Sequence, residues 1–200
     1  MWVAMDQLAE TSLHRHAAEN LRFIRDTMAR ASGFTAVPGW GGALMGVTAV
    51  ATAVVAGPPE AASNWLRWWL WDAALAFAIG IAAMARKARR VESPIGGAAG
   101  RRFALALVPT LAAGAILTVV FVRYGLTARL PGCWLLMYGA AVSSAGSMSV
   151  PPVPIMGVAV LLLGAVAFAL PMAWGNVFMA LGFGLMHIIC GIVIARRYGG

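Results

Sequence analysis

The sequence predicts an all-α membrane protein of six transmembrane helices, with both termini cytoplasmic and a cytoplasmic amphipathic helix in front. Three observations carry this. The 200 residues are 61% hydrophobic and only 11% charged, where a soluble domain carries about 25% charged residues. The stretch from Trp65 to Arg90 puts four tryptophans and an arginine at one end of an apolar run and a basic cluster at the other. Those are the marks of one membrane helix with both interfaces labelled, Trp at the headgroups and Lys/Arg inside. Six spans also sort the 15 Lys and Arg by side. Four, six, none and two fall on successive inner segments, and only Arg67, Arg123 and Arg129 fall outside. This is the positive-inside bias.

Residues 1–36 form the cytoplasmic segment, and residues 37–200 the membrane domain. Leu13, Ala17, Leu21, Ile24 and Met28 recur at helical spacing, which predicts an amphipathic helix over 13–31. Arg15–Glu19, Arg22–Asp26 and Asp26–Arg30 pair at i,i+4 on its other faces. Such a helix lies on the inner leaflet or docks a cytosolic or membrane partner. No signal peptide is visible, because about 36 mixed residues precede the first hydrophobic run.

Pro38 to Gly42 is the entry turn for span 1, residues 40–56, anchored by Trp40. Gly42 and Gly46 form a GxxxG, which permits close helix approach. Gly57-Pro58-Pro59 ends the span. Span 2 covers 65–85, and a basic loop follows with Arg86, Lys87, Arg89, Arg90, Arg101 and Arg102 as its topology-setting charges. Span 3 covers 103–122, with Pro109 a kink site. Span 4, 133–150, is the least apolar, carrying Ser143, Ser144, Ser147 and Ser149. Span 5 covers 154–170 after a proline-rich inner turn, and span 6 covers 177–195 and ends at Arg196-Arg197. Val37-Pro38 to Val47 and Val153-Pro154 to Val158 share a pattern, a faint repeat relating hairpins 1–2 and 5–6.

Two ionisable residues interrupt the apolar runs. Asp72 lies seven residues beyond Trp65, about 10 Å into span 2 at about 1.5 Å per residue. His187 lies near the middle of span 6, among Gly184, Cys190 and Gly191. Ionisable groups at such depth are costly and mark functional sites by default. The two fall within a turn of each other in height. They read as separate structural groups, as an Asp–His pair serving a proton relay or polar latch, or, for His187, as an axial ligand to haem. Gly139, Ser143, Gly146 and Ser147 give span 4 a polar face, read mainly as a helix-packing surface and alternatively as a pore lining. Trp40, Trp65, Trp68, Trp69, Trp134 and Trp174 read as interfacial anchors.

The net charge of +8 reflects helix-end charges rather than nucleic-acid binding. Cys133 and Cys190 form no metal or redox spacing and read as apolar fillers. There is no HExxH, CxxC, P-loop or GxSxG, so no enzyme, metal site or resident cofactor is expected. Two segments, Glu19 to Arg25 leading into Pro38 to Gly42, and Gly184 to His187 leading into Ala195 to Gly200, resemble a family of six-span bacterial membrane proteins of about this length. That resemblance implies a multi-pass protein of the bacterial inner membrane, and it brings no established activity. The tryptophan content is similar to that of the tryptophan-rich sensory proteins, but those have five spans and their Trp/Pro motifs find no place here. The function expected is therefore a non-enzymatic sensor, regulatory or accessory subunit acting through a partner. The alternatives are a small proton-coupled carrier using Asp72 and His187, and a haem- or small-ligand-binding membrane protein.

Overall fold

A computed structural model of the chain describes residues 20–23, 33–90 and 96–199. Residues 20–23 are helical, with Leu21 and Phe23 exposed. The rest of the amphipathic helix expected over 13–31 lies outside the described residues. Met1–Gly33 forms one unit and Phe34–Gly200 another.

The second unit is all-helical among its described residues, apart from one isolated bridge between Phe34 and Ser149. Its helices are α1 (Gly39–Val55), α2 (Ala62–Arg90), α3 (Ala98–Arg123), α4 (Leu130–Gly146) and α5 (Pro152–Ala169). A last span, Met172–Tyr198, is built in pieces: a short turn, α6 (Gly175–Met179), a π-helical segment (Ala180–Leu185) and α7 (Met186–Tyr198). Four of these are long and apolar enough to cross a membrane: α2, α3, α5 and the last span. The molecule is a helical membrane protein on that ground, and large side chains such as Val54, Phe77, Ile116 and Ile155 stand exposed on its outside.

Two boundaries differ instructively from the sequence reading. The basic residues do not form a loop. Arg86, Lys87, Arg89 and Arg90 continue α2, and Arg101 and Arg102 belong to the first two turns of α3. Arg and Lys are good helix formers, and the helix runs on through them to Arg90. Span 4 stops at Gly146 instead of continuing to residue 150, because a turn at 147–150 brings Ser149 against Phe34. Pro109 stays within α3. Gly57 and Gly125 follow the ends of α1 and α3 with φ of 75° and 70°, the left-handed position that closes a helix.

Small residues set the packing. On α1, any Cβ added at Gly46 would fall 2.5 Å from the Gly184 carbonyl oxygen, and one added at Gly191 would meet the Ala43 backbone. Gly42, its GxxxG partner, has room, with Gly191 Cα 3.7 Å away. On α4 and α5, Gly139, Gly157 and Gly164 each approach the opposing backbone as closely. Two tightly packed groups result. One is α1 with α2 and the last span, and the other is α3, α4 and α5. The sequence neighbours α2 and α3 scarcely touch.

One end of the bundle is sealed by residues 34–38. The Phe34 amide donates to Met148 O at 2.7 Å, and Ser149 Oγ donates to Phe34 O at 2.7 Å. The rings of Phe34 and Phe103 lie 4.8 Å apart. Lys87, expected in a loop, is instead buried here, its Nζ donating to Val37 O at 3.0 Å. At the opposite end Asn176 holds three elements together. Its side-chain oxygen accepts from the indoles of Trp65 at 2.7 Å and Trp69 at 3.2 Å, and its amide donates to Gly57 O.

Candidate functional site

Between these two ends α1, α2, α3, α4 and the last span enclose a cavity of about 350 Å³. Met45 and Ala49 come from α1, Trp69, Asp72 and Phe77 from α2, and Leu111, Gly114 and Thr118 from α3. Trp134 and Tyr138 come from α4, and Met179, Phe183 and His187 from the last span. Leu70, Ala73, Phe77 and Ala115 line the cavity and are also exposed. The cavity therefore opens sideways through the gap between α2 and α3, onto the apolar outer surface.

Asp72 faces this space because Trp65, Trp69 and Asp72 share one stripe of α2 at i, i+4 and i+7. All three are buried, Asp72 to 8% exposure. The hydroxyls of Thr48 and Thr52 on α1 stand beside its carboxyl group. Its Oδ1 meets no hydrogen-bond donor among the described residues.

His187 is held quite differently. Its Nε2 lies 2.6 Å from Tyr138 Oη, and its Nδ1 lies 3.3 Å from the carbonyl oxygen of Gly182. A carbonyl only accepts, so Nδ1 carries the proton, and in the neutral ring Nε2 accepts from the Tyr138 hydroxyl. Gly182 lies within the π-helical segment that ends two residues before His187. Such segments cluster at functional sites. The imidazole packs against Tyr138 and Phe183, with ring centres at 5.3 and 6.3 Å.

The structure thus brings Asp72 and His187 to one cavity but does not join them. No Asp72–His187 hydrogen bond is formed: both ring nitrogens of His187 are engaged elsewhere, and the α1 threonines stand beside Asp72, as the reading of two separate structural groups expects. The same contacts bear on haem, since Nε2 points at Tyr138 and offers no free lone pair to an iron. Ser143 and Ser147 take no part. Ser143 packs against Gly157 of α5, and Ser147 Oγ, in the turn just after α4, donates to Ser144 O at 2.7 Å.

The tryptophans divide. Trp40, Trp68 and Trp174 are exposed, but Trp65 and Trp69 are 0% and 3% exposed and Trp134 is half-buried. These last three pack inside the protein rather than standing on its outer surface. Trp65 stacks on Trp134 at 5.5 Å and 18°. Trp134 Nε1 donates to Thr118 Oγ1 at 2.7 Å, which in turn donates to Gly114 O at 2.8 Å. A Trp that finds a hydrogen-bond partner inside need not stay at the headgroups.

Tyr138 and Asn176 are functional-site residues that composition and periodicity do not single out. A tyrosine inside an apolar span is a signal, because its hydroxyl needs a partner when buried. Asn176 sits in a turn where an amide is ordinary, and nothing local marks it.

The class this geometry defines is a helical membrane protein with a lateral, mostly apolar cavity carrying one unsatisfied carboxyl oxygen. Comparison with known proteins found no matching family model, no matching curated protein and no matching solved structure.

Proposed function

We propose that this is a six-span inner-membrane protein of bacterial type, with both termini cytoplasmic, that binds a small, largely apolar ligand within its bundle. It acts as a sensor, regulatory or accessory subunit, passing the bound state to a partner through residues 1–36, and it is not an enzyme. The observation that carries this reading is the cavity of about 350 Å³, which has a mouth between α2 and α3 and the buried groups of Asp72 and His187 on its wall. Ligand sites are typically concave, mainly apolar and about 300–1,000 Å³, with a few placed polar groups. Filling the cavity tests it. Ala76→Leu, which adds bulk on its wall, should raise the melting temperature of the purified protein and weaken binding of small apolar probes. Unchanged probe binding would remove the reading.

A second reading is favoured by the presence of Asp72 and the Tyr138–His187 hydrogen bond in one cavity: a proton-coupled carrier. Uptake driven by a pH gradient into liposomes holding only this protein would support the carrier. A stable stoichiometric partner on co-purification would support the subunit.

A further inference from the structure

We infer that the cavity takes an amphiphilic amine, its ammonium group on Asp72 and its apolar body among Trp69, Trp134, Tyr138 and Phe183. This rests on the ligand-binding reading above and names the ligand class.

The argument begins with the carboxyl group. Asp72 is 8% exposed, and its Oδ1 has no donor among the described residues. A buried polar oxygen left unpaired costs roughly 1–3 kcal/mol, and more when charged. Among the described residues no cation answers it. No Lys or Arg lines the cavity, and both nitrogens of His187 are committed to Tyr138 and Gly182. A ligand with N–H donors and one positive charge meets both needs.

The remaining wall suits the rest of such a molecule. Five aromatic side chains line the cavity besides His187, and aromatic faces attract cations over and above apolar burial. A carboxylate or phosphate ligand would be repelled by Asp72. A neutral ligand would leave Oδ1 short of a charged donor. The volume of about 350 Å³ is at the low end for ligand sites but more than twice the roughly 150 Å³ that accepts a benzene ring, so it admits a body of one or two rings. The mouth between α2 and α3 opens on an apolar surface, so the ligand must be soluble in lipid as well as charged at one end.

The test uses the full chain in nanodiscs of zwitterionic lipid, at neutral pH. The probes are phenethylamine, its neutral counterpart 2-phenylethanol and the acid 3-phenylpropionate. Binding is read from tryptophan fluorescence, since Trp69 and Trp134 line the cavity, and from melting temperature. The amine should bind about tenfold more tightly than the alcohol, and the acid more weakly than either. Asp72→Asn should erase the preference for the amine and leave the alcohol unaffected. If the alcohol equals the amine on the wild-type protein, the inference falls while the ligand-binding reading stands. The same follows if the preference survives Asp72→Asn. If none of the three binds, both fall. The wild-type comparison decides the matter by itself should Asp72→Asn not fold.

Discussion

The hydrogen bond from Tyr138 to His187 joins residues 49 positions apart. Tyr138→Phe should therefore leave Nε2 buried and unpaired, at a cost of about 1–3 kcal/mol, measured by chemical or thermal unfolding in mild detergent. His187→Gln should be milder, because an amide can still donate to Gly182 O and accept from Tyr138. Asp72 and His187 share no hydrogen-bond partner, so a double-mutant cycle of Asp72→Asn and His187→Gln should be additive within about 0.5 kcal/mol. A larger coupling would restore the pair that the geometry has set aside. Both ionisable residues were legible in the sequence because charge inside an apolar run is expensive wherever it occurs. Their partners were not. Periodicity reports which face a residue occupies, and it says nothing about which helix 49 positions away will supply a hydroxyl.

Helices show the same division between local and distant information. Each of the six apolar runs is helical, and their centres were readable from hydropathy alone. Their ends were not, because the basic residues that mark an interface are also good helix formers and extend α2 and α3 past it. The GxxxG of α1 was readable as a motif, yet its two glycines are unequal. Gly46→Ala should destabilise by about 1–3 kcal/mol, as overpacking against the Gly184 carbonyl forces α1 off the last span. Gly42→Ala meets only an ordinary contact and should change stability by less than about 0.5 kcal/mol. Equal losses at both sites would show that the α1 contact is not the one described. The π segment had no sequence signal at all, since nothing in Ala180 to Leu185 distinguishes a five-residue from a four-residue hydrogen-bond period.

At the scale of the whole molecule, the helices of 17 residues, α1 and α4, would reach about 26 Å at about 1.5 Å per residue, short of a hydrocarbon core of about 30 Å. α4 is the more enclosed, with 10 of its 17 residues buried against its neighbours, so protein rather than lipid meets much of its surface. Reporter fusions after Tyr198 and in the 57–64 turn should place the first inside and the second outside. An external C-terminus would overturn the six-span topology. The gap between α2 and α3 carries a consequence of its own. A binding site whose door is in its side wall does not sample the surrounding water. It samples the mole fraction of solute dissolved in the membrane. Adding empty lipid vesicles at fixed total amine should then lower occupancy, because the amine's mole fraction in the protein's own membrane falls together with its free concentration. Such a protein would report how heavily its own membrane is loaded, and greasier amines would act at lower total dose in proportion to how well they partition.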